Sequence, residues 1–214
     1  QKRTRESFDD GTELMDWRNA AAADRTDARR DYILDTEDIP NMISTMAFET
    51  FIRNVDSNFG VNMLAYHDIT DTGRWQALPY DLDGTGAGGS ADLPGYNFVS
   101  PYEVPESVGR FDKTWRSPFL AVYDEPDLRQ AYYRRLRTLA DDYLATGWYR
   151  QRYQDLVNQT APEFQMDFDK WGSLSDIEYS RLALFRIIDE TKFNILSRFQ
   201  KPWAVPETQS ADAT

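Results

Sequence analysis

The stretch that decides the fold reads Asn54-Val55-Asp56-Ser57-Asn58-Phe59-Gly60-Val61-Asn62-Met63-Leu64-Ala65-Tyr66, then Asp71-Thr72-Gly73-Arg74-Trp75-Gln76-Ala77-Leu78-Pro79-Tyr80-Asp81-Leu82-Asp83. The first polar run has loop chemistry. Met63–Tyr66 is a short apolar strand, and Asp68–Gly73 is a cluster of turn residues. Arg74–Tyr80 is a second strand carrying large side chains at Trp75, Leu78 and Tyr80. Two short strands about an Asp-Thr-Gly turn predict an antiparallel β-hairpin. Neighbouring strands lie about 4.8 Å apart, so Asn62 and Asp81 are expected together at one end of that hairpin. Asp56 precedes them at the end of a helix.

Working outward, residues 36–54 carry Ile39, Ile43, Met46, Phe48 and Ile52 at mostly helical spacing. Thr36 is the expected N-cap, with Glu37 and Asp38 at the positive end of the helix. Upstream, residues 1–35 form a polar, partly helical segment. Ala20–Ala23 with Arg25, Arg29 and Arg30 predict a surface helix. Downstream, Gly84–Gly89 is a loose hinge. Residues 90–118, with prolines at 94, 101, 105 and 118, read as a long irregular loop of the kind that is functional or disordered.

The remainder reads as helical. Leu128, Tyr132, Leu136, Leu139 and Tyr143 repeat in steps of three and four. Tyr149, Tyr153, Leu156 and Val157 open another helix, which Pro162 is expected to interrupt, with Thr160 and Glu163 as a capping box. Phe164, Phe168 and Trp171 continue the apolar face, and these late aromatics are expected in the core. Ile177, Leu184, Ile188, Ile195 and Phe199 mark a last helix. The predicted class is α+β, predominantly α, with a lobe over 36–201 and a polar tail at 202–214.

The chain has 214 residues, 41% hydrophobic and 14% aromatic, enough for a real core. Its net charge of -12 repels nucleic-acid phosphate and favours basic partners or metal-bridged polyanions. With no cysteine, disulfides, thiolate chemistry and Cys-ligated zinc are excluded. No apolar run reaches the roughly 20 residues that span a bilayer. No signal peptide is visible at the polar, charged start.

Asp56, Asn62 and Asp81, with Asp83 nearby, form an acidic cleft of hard oxygen ligands suited to Mg²⁺ or Mn²⁺. Phosphoryl transfer asks for such a set: one carboxylate on the acceptor hydroxyl, and an Asn and an Asp holding metal on the phosphates. Other readings stand beside it. Asp81 and Asp83 also suit a turn or the start of a calcium loop, although the downstream ligands of an EF-hand are absent. Gly84–Gly89 lacks the Lys-Ser/Thr ending of a P-loop. Asp71-Thr72-Gly73 reads as turn chemistry. His67, the sole histidine, reads as structural.

The spelling of these segments resembles the CotH (spore-coat protein H) kinase family. That hallmark has an Asp shortly before an Asn, a Tyr-containing strand, a Thr-Gly-Lys/Arg-Trp hairpin and a Pro-Trp-Asp-Leu-Asp end. Tyr80 stands where the family usually has Trp. Trp115-Arg116-Ser117-Pro118-Phe119-Leu120 and Phe168-Asp169-Lys170-Trp171-Gly172 resemble later family segments. The resemblance implies an atypical protein-kinase-like lobe, with the hairpin between catalytic and metal-binding loops and helices at the C-terminal side. It implies ATP with Mg²⁺ or Mn²⁺, and phosphorylation of serine/threonine hydroxyls on basic proteins. Asp56 would be the catalytic base. Asn58 would support the loop at the cofactor, Asn62 and Asp81 would bind metal and nucleotide, and Asp83 would be a further metal ligand. The loop 84–118 would take the place of an activation or substrate-binding segment. The family suggests a spore coat, cell surface or secreted setting. Nothing before Asp56 resembles a Gly-rich loop or a strand-borne catalytic Lys, so the chain reads as the C-terminal portion of the family domain. The competing expectations are a noncatalytic coat or surface assembly module and a calcium-stabilised binding domain.

Overall fold

The computed structural model describes residues 11–52, 63–82 and 117–172, together with 185, 186, 188 and 189. Among these the protein is mostly helical, with one two-stranded antiparallel sheet. In chain order the elements are α1 (Thr12–Ala21), α2 (Asp27–Thr36), α3 (Ile39–Ile52), β1 (Met63–His67) and β2 (Trp75–Pro79). Then come α4 (Ser117–Asp124), α5 (Pro126–Leu139), a π-helical segment (Ala140–Ala145) and α6 (Trp148–Trp171).

The core is built on α3. Met42, Ile43, Met46, Ala47, Phe51 and Ile52 are buried there, and the helix packs against α5 and β2. Leu128, Tyr132 and Leu136 are buried on α5 in the register that their four-residue spacing predicts, with Tyr133 buried beside them. The Tyr132 and Thr50 hydroxyls are 3.0 Å apart across that contact. Tyr123 and Tyr133 share a 2.6 Å hydroxyl bond inside the core. Burial holds both phenols above their ordinary range.

Four local expectations are corrected. Thr36 does not cap α3; it ends α2, and its hydroxyl donates to the Tyr32 carbonyl at 2.7 Å. Asp38 is the cap instead, its Oδ1 accepting from the Asn41 amide at 3.0 Å. The segment carrying Ala21 and Arg29 is not a surface helix. Trp17, Ala21, Arg29 and Ile33 are buried, and Arg29 pairs with Asp124 at 3.0 Å. Pro162 does not interrupt α6, and Thr160 donates back to the Leu156 carbonyl at 2.8 Å instead of forming a capping box. The late aromatics divide: those of α5 are core, but α6 has no buried residue, and Phe164, Phe168 and Trp171 are exposed. Positions 161–171 are exposed on every face of the helix, so periodicity there meets no neighbour among the described residues.

The helix α4 begins at Ser117, inside the stretch 90–118 that reads as an irregular loop, and no apolar repeat in the sequence marks it. Phe119, Ala121, Val122 and Tyr123 are all buried, so this short segment lacks the polar face that produces a periodic signal. The five-step π segment then shifts the register after Leu139. Leu144 goes inward, and Tyr143 is left partly exposed. Of the expected last helix, residues 185, 186, 188 and 189 are helical, and Ile188 is buried.

Candidate active site

The hairpin forms as its sequence predicts. Met63 pairs with Pro79, Leu64 with Leu78, Ala65 with Ala77, Tyr66 with Gln76 and His67 with Trp75. Asp68 organises the turn. Its main-chain amide donates to the Arg74 carbonyl at 3.0 Å, and its carbonyl accepts from Gly73 at 2.7 Å. Its carboxylate accepts from the amides and hydroxyls of Thr70 and Thr72, which hold it below the usual aspartate range, Thr72's amide most of all. Gly73 sits at φ 65, a left-handed position that favours glycine. Asp71-Thr72-Gly73 is therefore turn chemistry, as its spelling implies.

The outer edge of β2 is fixed by the start of α3. The Ala77 amide donates to Asn41 Oδ1 at 2.8 Å, and Thr45 Oγ1 donates to the Ala77 carbonyl at 3.3 Å. The Asp38 amide donates to the Trp75 carbonyl at 2.9 Å. Side chains thus satisfy strand groups that another strand would otherwise take. This ties the first half of β2 to α3, whose last residue, Ile52, lies four positions before Asp56 in sequence.

A stack of three rings covers the turn end. Trp75 lies between Trp17 (centroids 4.7 Å apart, 9° between planes) and His67 (4.4 Å, 8°). His67 Nε2 is 3.2 Å from the Gly73 carbonyl, and Nδ1 is 3.3 Å from Glu13 Oε2. The structural reading of His67 fits these contacts. Below the stack is a residue that sequence reasoning assigned only to a helix end. Glu37 is fully buried and accepts from Trp17 Nε1 at 3.2 Å through Oε1. Its Oε2 has no hydrogen-bond partner among the described residues. Burial pushes this carboxyl up to about 8, and the indole bond only partly offsets that rise. No sequence signal separates such a glutamate from a solvated one; only its neighbours do.

Of the expected site residues, the structure describes Asp81. It is exposed at the exit of β2, two residues after Pro79, with φ 56. A non-glycine residue in the left-handed region is uncommon, and such positions concentrate at functional sites. Asp56, Asn58, Asn62 and Asp83 lie outside the described residues, as does most of the 84–118 loop. Among the described residues, no three His, Cys, Asp or Glu side chains converge as a metal-binding group.

Beside Asp81 the hairpin presents an apolar face that sequence reasoning did not assign to the site. Leu64 and Leu78, directly paired, are each 41% exposed, and Tyr66 and Tyr80 are also exposed. The inner positions Trp75 and Ala77 are buried. The sequence signal was present: in a strand with one buried face, apolar residues of the opposite parity face solvent.

No helix among the described residues is long and apolar enough to cross a membrane. Comparison with curated proteins gave no match, and neither did comparison with solved structures. The family model described as CotH kinase protein matches residues 1–194. With that match across most of its length, and with the hairpin that carries the hallmark formed in register, the chain belongs to the CotH kinase family.

Proposed function

We infer that this chain provides the catalytic lobe of an ATP- and divalent-metal-dependent kinase acting on serine or threonine hydroxyls of basic proteins. The observation that carries this reading is Asp81. A family-hallmark carboxylate stands exposed in a left-handed conformation at the exit of β2, next to the apolar Leu64–Leu78 face. Carboxylate and amide oxygens from Asp81, Asn62 and Asp83 are the donor chemistry that Mg²⁺ or Mn²⁺ prefers. The metal would neutralise phosphate charge. Asp56 would accept the proton of the attacking hydroxyl, and Asn58 would support the loop that carries it. Leu64 and Leu78 are the residues that would hold a purine ring. The acidic chain, net charge -12, would draw in a basic substrate segment.

The test is thermal unfolding with and without Mg²⁺ or Mn²⁺ and ATP, for the wild type and for Asp81→Asn. A ligand at about 100 times its Kd stabilises a protein by about 2.7 kcal/mol. The expected result is a metal-dependent shift with ATP that Asp81→Asn loses. No shift in the wild type at millimolar ATP and metal would overturn nucleotide binding by this chain.

One observation favours a second reading, a noncatalytic assembly module. The end of α6 carries Phe164, Met166, Phe168 and Trp171 in solvent, and exposed apolar groupings often mark contact surfaces. A chain that shows no metal–nucleotide shift yet still binds basic coat or surface proteins would support that alternative.

A further inference from the structure

We propose that α1 is a proton-linked strap, held over the β-hairpin through the neutral form of Glu37 and released when that carboxyl ionises. The proposal does not depend on the kinase reading. The helix α1 packs against α2 and α4, and three side-chain contacts fasten it over the hairpin and the Glu37 junction. Trp17 stacks on Trp75, Trp17 Nε1 donates to Glu37, and Glu13 approaches His67. The seat beneath Trp17 is closed to solvent: Glu37 is fully buried, and among the described residues its Oε2 meets no hydrogen-bond partner. A neutral carboxyl tolerates such a seat far better than a carboxylate does.

Among the described residues, the charged groups around Glu37 do not supply a counter-ion. Arg74, just before β2, directs Nη1 to the main-chain carbonyl of Glu37 at 3.2 Å. Asp38, at the start of α3, is engaged with the Asn41 amide and with Gln76 Nε2. Tyr32 on α2 feels both Glu37 and Asp16 of α1 as nearby negative charge. His67 on β1 lies behind Trp75, on the side of the stack away from Trp17. Burial and the indole bond are what set the state of Glu37, and burial dominates. Lifting α1 removes Trp17 and lets water reach the carboxylate. Undocking and loss of one proton are therefore linked. Between the ordinary glutamate value of 4.5 and about 8, each rise of one pH unit favours the open form by about tenfold. Above that range the linkage levels off. Because Trp75 belongs to the strand that leads to Asp81, the strap connects this proton to the footing of the candidate site.

The experiment is amide hydrogen exchange of peptides covering residues 12–21, corrected for the intrinsic pH dependence, from pH 5 to 9. In the wild type, protection of α1 is expected to fall about tenfold per pH unit up to about pH 8 and then level off. In Glu37→Gln it is expected to stay constant, and in the wild type α1 is expected to exchange faster than α5 at every pH, because the strap opens without unfolding of the core. A flat wild-type profile, the same slope in Glu37→Gln, or α1 protection equal to that of α5 would each overturn the proposal. If Glu37→Gln does not fold, Trp17→Phe decides. It keeps a ring over Trp75 but removes the donor to Glu37, so the levelling point must move to higher pH. An unmoved levelling point overturns the strap.

Discussion

Trp17 and Glu37, twenty residues apart, meet through an indole hydrogen bond of 3.2 Å that fastens the first helix to the junction ahead of α3. The same indole stacks on Trp75 of β2, so one side chain joins α1, the α2–α3 junction and the hairpin.

Replacing Trp17 with Ala therefore removes a buried ring and a donor together. The expected cost is about 3–5 kcal/mol, the range for large aromatic deletions in a core. Chemical denaturation of the variant checks it. A loss under about 1 kcal/mol would mean that α1 contributes little to the folded lobe.

Glu37 makes stability depend on pH with a definite sign. Its folded value, about 8, lies above its ordinary 4.5. The contribution is full below about pH 4.5, declines as pH rises and is gone above about pH 8. Glu37→Gln should lack this decline. At pH 8 the variant should be the more stable protein by about 1–3 kcal/mol, since it buries no charge and its amide still accepts from Trp17. Urea midpoints at pH 5, 6.5 and 8 for both proteins give the comparison.

Arg29 and Arg30 separate a buried ion pair from a surface one. Arg29 is buried and bonds the Ala23 carbonyl (3.2 Å) and Asp124 (3.0 Å), with buried Glu125 at 3.8 Å. Arg29→Ala should cost about 3 kcal/mol or more, because it leaves buried acidic and carbonyl groups short of a partner. Arg30 reaches the exposed Asp127 at 2.8 Å and Glu125 at 3.0 Å. Arg30→Ala should cost about 1 kcal/mol. Equal losses in thermal unfolding would contradict this ranking.

Leu78→Asp tests the apolar face beside Asp81. Leu78 is exposed, so stability should change by no more than about 0.5–1 kcal/mol. Affinity for Mg²⁺–ATP should drop at least about tenfold, because a like charge would meet the nucleotide. Unchanged nucleotide affinity by calorimetry would remove the hairpin face from the site.

Asp56→Ala tests the chemistry. If Asp56 takes the hydroxyl proton, turnover on a basic serine-containing substrate should fall by about 10²–10⁴ while the melting temperature stays close to that of the wild type. Normal turnover would exclude Asp56 as the base.

The sequence made the hairpin legible for local reasons. The Asp68–Gly73 turn carries its own hydrogen-bonding groups, and Gly73 supplies the left-handed residue that the turn requires. The helices α3 and α5 were legible because each has one buried face. Reading failed where the tertiary setting removed that contrast. The helix α4 is buried along most of its apolar run, and residues 161–171 of α6 are exposed on every side. At Thr36 and Asp38, two adequate caps stood two residues apart, and the packing of α2 decided which was used.

For the candidate site, the sequence by itself determined the family, the order of carboxylates and amides, and the hairpin between them, because spacing and turn chemistry are local properties of the chain. The tertiary structure decided three other things. It placed Asp81 in a left-handed conformation, turned Leu64 and Leu78 outward beside it, and buried Glu37 under Trp17. Each of these depends on which surfaces are dry and which are wet. That is settled only when distant segments pack and the same side chain acquires a different dielectric, a different proton affinity and a different use.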